Sequence, residues 1–224
     1  YIISARRTYA DIIGRLAGID ELQDNDLYFY DLNAKTNYII NDKNRIFISG
    51  YTGDDKLALG ESLYMRWGNW TTTFRWNHLF SSKLFSNFTA LYAKYNYNLG
   101  VPGEGADAFD WKSHIRDVNV KLDFTYYHNP SNTIKFGWNS IYHDFIPGES
   151  SGFLEGKISA VNALEHALYA SNEHKIGKRL TLRYGLRFTM FQHIGEGKVY
   201  DYVDPENPTD STITGVTDYK KWEN

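Results

Sequence analysis

The chain has 224 residues, with 24 Lys plus Arg against 27 Asp plus Glu, a formal net charge of −3 and an aromatic content of 17%. That balance excludes a strongly basic nucleic-acid binder, and the absence of Cys excludes disulfides, thiolate metal sites and Cys nucleophiles together. Mean hydropathy is −0.51 and no apolar run approaches the roughly 18 residues of a membrane helix, while a hydrophobic content of 42% argues against disorder.

The sequence opens inside an apolar segment, Tyr1-Ile2-Ile3-Ser4, with no initiator Met, basic n-region or apolar h-region. The expectation is an internal piece of a longer protein, beginning with a strand stub at 1–6. Period-two alternation then dominates, which is the mark of a strand with one apolar and one polar face. Tyr30, Leu32, Ala34, Thr36, Tyr38 and Ile40 alternate with Asp31, Asn33, Lys35 and Asn37. Trp70, Thr72, Phe74 and Trp76 alternate with Asn69, Thr71, Thr73 and Arg75. Val118, Val120, Leu122, Phe124 and Tyr126 oppose Asp117, Asn119, Lys121, Asp123 and Thr125. Ile134, Phe136, Trp138 and Tyr142 oppose Lys135, Asn139 and His143. Leu180, Leu182, Tyr184, Leu186, Phe188 and Met190 oppose Thr181, Arg183, Gly185, Arg187 and Thr189. Less regular alternation at 45–52, 85–98 and 163–174 gives three more strands, eight long ones in all.

Short polar turns are expected at 41–44, 81–83, 128–132 and 175–178, and long Gly-rich, acidic loops at 53–61, 99–112, 146–162 and 195–218, the two kinds alternating along the chain. All five prolines fall in these connections, as strand chemistry requires. The alternations persist for about ten residues or more, twice the usual soluble strand and the length of a tilted membrane strand. Aromatics on the apolar parity lie near the short turns (Tyr38, Trp76, Tyr126, Trp138) and nearer the long loops (Tyr30, Trp70, Tyr142), with Leu32, Ala34, Val118 and Val120 between, like two interfacial girdles. The fold class that follows is all-β: an antiparallel transmembrane β-barrel segment with short periplasmic turns and long extracellular loops. The alternative is a secreted β-sheet carbohydrate-binding module whose Tyr and Trp line a glycan cleft.

Several phrases, YIISARRTY at 1–9, FYDLNAKTNY at 29–38, NDKNRIFISGY at 41–51, WGNWTTTFRWNHLFSSKLFSNFTALYAKY at 67–95, KFGWNSIYHDFIPG at 135–148 and LEHALYASNEHKIGKRLTLRYGLRF at 164–188, resemble the barrel of a TonB-dependent outer-membrane receptor of the Bacteroidetes type. The resemblance extends over nearly all of residues 1–224 and carries no catalytic signature. It implies a 22-stranded barrel in the bacterial outer membrane, an N-terminal plug, energy coupling through the TonB complex, and uptake of an iron chelate, a cobalamin or a glycan. A surface lipoprotein is a further implied partner. The plug, the TonB box and a carboxy-terminal strand ending in an aromatic are missing from this sequence, so residues 1–224 are expected to supply part of the wall. Eight strands closed on themselves would leave no lumen.

Motifs that could carry chemistry are few. Gly148-Glu149-Ser150-Ser151-Gly152 matches G-x-S-x-G, which needs a buried strand before it and a helix after it. Only the chance that 158–172 forms a helix supports that, and a loop is expected instead. Gly103-Glu104-Gly105-Ala106-Asp107-Ala108 lacks the preceding hydrophobic strand of a dinucleotide turn. Asp201, Asp204, Glu206 and Asp210 match no EF-hand spacing and read as a solvated loop. The seven histidines show no metal-ligand spacing; His166 and His174 share a parity but stand about 27 Å apart at strand rise. No catalytic residue, metal or cofactor is expected, and no nucleic-acid partner.

The polar parity holds Arg75, Asp117, Lys121, Asp123, Arg183 and Arg187, which a barrel would turn to its lumen, since Lys or Arg facing lipid at midplane costs about 2–4 kcal/mol. Phe109, Trp111, Phe153, Tyr200 and Tyr202 are the candidate ligand-binding aromatics, placed by this reading in outer loops. The expected activity is nutrient binding and transport rather than catalysis.

Overall fold

The computed structural model describes residues 1–18, 25–60, 62–103, 108–152, 156–158, 160–195, 197–203 and 213–219. It is all-β apart from one short helix. The strands are β1 (Ile2–Arg7), β2 (Asn25–Asn41), β3 (Asn44–Leu59), β4 (Leu63–Leu79), β5 (Leu84–Val101), β6 (Phe109–Asn129), β7 (Asn132–Gly152), β8 (Gly156–Lys157), β9 (Val161–Ile176), β10 (Leu180–Ile194), β11 (Gly197–Tyr202) and β12 (Ile213–Tyr219), with helix α1 (Ala10–Ala17) between β1 and β2. One antiparallel sheet runs β1-β2-β3-β4-β5-β6-β7-β9-β10, β8 pairs with β7, and β11 with β12 forms a separate hairpin. The large sheet is open, with β1 and β10 as its edges.

The eight long strands and the amino-terminal stub stand where the alternation put them, including the less regular 45–52, 85–98 and 163–174. The four short turns also fall as expected. Asn41 Oδ1 accepts from the Lys43 amide, and Asn129 Oδ1 accepts from the Ser131 amide, the Asx turn that lets a polar residue replace a backbone partner. Residues 161–172 form strand, not helix: β9 pairs with β7 and β10, and backbone pairing on both sides outweighs any local helical preference.

The loops are shorter than the sequence reading expects. β3 continues to Leu59, β5 to Val101, β6 begins at Phe109 and β7 runs to Gly152. Gly and acidic residues in these stretches stay in ladder register, for example Tyr30↔Asp54 and Asp31↔Gly53. Glycines here serve close packing and not chain reversal: a Cβ on Gly53 would lie 2.6 Å from the Tyr51 hydroxyl. Residues 195–218 are likewise not one loop, because β11 and β12 pair within them. Pro147 lies inside β7, at the register shift where Lys112↔Glu149 and His114↔Ile146 leave an extra residue on β7; a bulge releases the amide that Pro lacks.

Helix α1 went unread in the sequence. Ile12, Ile13 and Leu16 fall at helical spacing in its eight residues, too few to stand out, and all three are exposed.

Candidate functional site

The register divides the large sheet into two faces. On one face the cross-strand rows are mainly apolar, with Thr36, Ser140 and His166 among them. One row reads Tyr38, Ile46, Trp76, Phe88, Leu122, Trp138, Leu168 and Phe188. The next reads Thr36, Ile48, Phe74, Ala90, Val120, Ser140, His166 and Met190. Leu168, flanked by strands on both sides, is 59% exposed and Trp70 is 48% exposed. Among the described residues each long strand packs against its sheet neighbours, and the one helix touches β2. Among the described residues no second layer covers these side chains. Among the described residues the buried apolar side chains are Ala163, Ala167 and Ile194.

The apolar window has sharp ends. It spans 84–92, 118–126, 134–142 and 182–190 on β5, β6, β7 and β10. Beyond it the same parity turns polar, with Lys94, Arg116, Asp144, Asn162 and Gln192. The window also slides along the register. The row through Gln192 runs by Leu164, Tyr142, Val118, Tyr92, Thr72 and Gly50 to Ala34, eight residues short of Asp26, where the apolar parity of β2 ends. At the other end, the row through Asn44 at the first turn runs by His78, Ser86, Phe124, Phe136 and Ala170 to Leu186, six residues from the turn at Leu180. Averaged from edge to edge of the sheet both ends drift by about one residue per strand, although β5, β6 and β7 share the same rows. With a rise of about 3.3 Å and a strand spacing of about 4.8 Å, the window runs about 35–38° off the perpendicular to the strands.

The opposite face carries Arg75, Asp117, Lys121, Asp123, Arg183 and Arg187 together, as the alternation places them. They are largely paired. Arg183 Nε donates to Glu173 at 2.8 Å, His143 Nδ1 meets Asp117 at 2.7 Å, and Lys121 meets Asp123 at 3.1 Å. The centre of this face is a clasp that the sequence reading missed. Tyr169 on β9 crosses β7 at Gly137 and donates its hydroxyl to Asp123 on β6. Its ring carries the Arg187 guanidinium 5.5 Å and Lys121 Nζ 5.8 Å from the centroid, a cation–π geometry. Gly137 is required there, since a Cβ would lie 2.5 Å from the Tyr169 hydroxyl and 2.5 Å from the Leu122 carbonyl oxygen. Arg6, Asp31 and Tyr51 form a smaller network, with Tyr51 donating to Asp31 at 2.6 Å. The face is mixed and not purely polar, for Tyr95 and Ile115 share it.

The same clasp recurs on the apolar-parity face, beyond the apolar window and away from the short turns. Tyr64 on β4 crosses Gly100 on β5 to donate to Asp110 on β6. Burial and the Asp110 carboxylate push the Tyr64 phenol up to about 12, so it remains a donor across neutral pH.

The candidate aromatics are not gathered into a site. Phe109 and Trp111 lie on β6, not in a loop, because the strand pairing with β5 and β7 extends to them. The Trp111 ring lies against Gly148. Tyr200 and Tyr202 fall on β11 of the separate hairpin and not in a loop, and Phe153 lies outside the described residues. Ser150 of the G-x-S-x-G match is buried on β7 and donates to the Gly156 carbonyl at 3.1 Å, holding β8 against the strand end; among the described residues the elements that follow it are strands β8 and β9. Among the described residues no group of three or more His, Asp or Glu is placed to hold a metal ion, and no helix is long and apolar enough to cross a membrane. No model of a known protein family matches this sequence, and no curated protein matches it.

Proposed function

We propose that this sheet is a section of a transmembrane β-barrel wall in a bacterial outer membrane, belonging to a TonB-dependent receptor that takes up a nutrient such as an iron chelate, a cobalamin or a glycan. The observation that carries this reading is the uncovered apolar window and its slope. Barrel strands tilt about 35–45° from the membrane normal, and an apolar band perpendicular to that normal must then slide along the register as this one does. Eight rises of about 3.3 Å, tilted by about 36°, project to about 21 Å. The side chains of Tyr92, Tyr126 and Tyr142 at the window ends extend that toward the band of about 25 Å found on such barrels. The paired charges of the other face then line an aqueous interior, where an ion pair needs no shielding from hydrocarbon. The phrases that resemble TonB-dependent receptors name the receptor class, and gating and energy coupling belong to the plug of that class.

A carbohydrate-binding sandwich would bury its apolar rows against a second sheet, and none covers them among the described residues. The test is fractionation of the full-length protein: recovery in the detergent-extracted membrane fraction after a carbonate wash is expected, and recovery in the soluble fraction would overturn the reading.

A further inference from the structure

On the apolar-parity face, the first residues beyond the window form a charged row. Lys94 on β5 stands two residues outward from Tyr92, and Arg116 on β6 two residues outward from Val118. They are direct cross-strand partners, so their Cβ atoms lie about 5 Å apart, a placement that is unfavourable for two like charges. Arg116 is held in place from the far side. Its Nη2 donates to Asp144, which is only 9% exposed, and Asn162 bridges Asp144 Oδ1 at 3.2 Å and the Tyr142 hydroxyl at 3.0 Å. Lys94 makes no ion pair among the described residues. One residue pair further out on the same face, His114 Nε2 is buried without a hydrogen-bond partner. The pattern repeats on the next strands, where Arg66 Nε donates at 2.8 Å to Asp54, 8% exposed. Other carboxylates on this face are Asp110, paired with Lys112, and Glu149, in register with Lys112. The carboxylates nearest the window are thus tucked in, while the guanidinium groups stand outward.

We infer that Lys94 and Arg116, with His114 behind them, bind the phosphate of an anionic membrane-lipid headgroup at the outer rim of the apolar window. The inference rests on the membrane reading above. A phosphate oxygen between the two cations relieves their mutual repulsion, the planar guanidinium fixed by Asp144 offers it parallel donors, and the acyl chains of the same lipid lie down the window below. The lysine stem covers apolar surface while its ammonium reaches the headgroup level. Lipid is the fitting source because the window begins about 5 Å below the pair, two rises along a tilted strand.

The experiment uses the full-length protein, extracted from membranes in detergent and exposed to equal amounts of phosphatidylglycerol and phosphatidylcholine with matched chains. Lipid retention is read by native mass spectrometry. The wild type is expected to retain the anionic lipid at least fivefold over the zwitterionic one. Lys94→Gln should lower that preference at least threefold, and Lys94→Arg should restore it. Arg116→Gln with Asp144→Asn removes the ion pair as a unit and should lower the preference likewise. Equal retention of both lipids, or an unchanged preference in Lys94→Gln, overturns the inference while membrane recovery still supports the barrel. Displacement of phosphatidylglycerol by millimolar inorganic phosphate also overturns it, in favour of a free-anion site. Recovery of the wild type in the soluble fraction overturns both readings together.

Discussion

Leu168→Arg separates a lipid-facing surface from a water-facing one by energy alone. Leu168 is the central residue of the apolar parity on β9, has strand neighbours on both sides and is 59% exposed. In water, an exposed Leu→Arg change falls within about ±0.5 kcal/mol. At the midplane of a bilayer the same change costs about 2–4 kcal/mol, a factor of roughly 30 to 700 in the folded-to-unfolded ratio at 1.4 kcal/mol per decade. The control is Ser171→Arg, three residues along the same strand on the opposite face, exposed, and in register with Lys135. Reversible urea unfolding in lipid vesicles, followed by tryptophan fluorescence, reads both. The expected result is a loss of about 2–4 kcal/mol for Leu168→Arg and under about 1 kcal/mol for Ser171→Arg. Equal effects at the two sites would refute the assignment of faces.

Gly137→Ala should cost about 1–3 kcal/mol by driving a methyl group into Tyr169 and the Leu122 carbonyl, measured by the same unfolding assay; a neutral effect would show that the clasp is not closed. Asp123→Asn removes the charge that Lys121 meets directly and that Arg187 approaches across Tyr169, and a loss of about 0.5–1.5 kcal/mol is expected from the weakened hydrogen bond. Ser150→Ala should cost a similar amount through its lost bond to Gly156 and leave the hydrolysis of p-nitrophenyl esters at background; a fall in turnover on substitution would revive an acyl-transfer role.

The eight long strands and their faces were legible because side chains alternate with a period of two and the ladder cannot shift by one residue without exchanging the faces; the short β8, β11 and β12 were not. Val118 to Tyr126 and Leu180 to Met190 read without ambiguity for that reason. Strand ends were not legible. Glycine and aspartate at 53–55 and Pro147 are turn residues by local preference, yet the first three sit in ladder register and Pro147 sits at a bulge. Neighbouring strands on both sides supply the hydrogen bonds that override the preference. This error also misplaced Phe109 and Trp111, which the loop reading made free for a ligand. The Tyr169–Gly137–Asp123 clasp spans three strands and 46 residues between its hydroxyl donor and its acceptor, so no local pattern announces it; only the register brings it together.

The change of chemistry along a single parity is what a membrane boundary requires and a protein core does not. On β6 the outward sequence on one face is Tyr126, Phe124, Leu122, Val120, Val118, Arg116, His114 and Lys112. A soluble core ends where a strand leaves its partner layer, so its edge follows the packing of that layer. Here there is no partner layer among the described residues, yet the switch from apolar to charged or polar occurs at Lys94, Arg116, Asp144 and Asn162 in one row of four adjacent strands. A planar solvent boundary crossing tilted strands steps by about one residue per strand on average. From β5 to β9 the boundary keeps one row, and the drift lies at the flanks: Gln192 on β10 is one pair inward, Trp70 on β4 is still apolar in the Lys94 row, and Asp54 on β3 is one pair outward. The staircase has a consistent direction from edge to edge of the sheet, which scattered surface charges on a water-soluble protein have no reason to adopt.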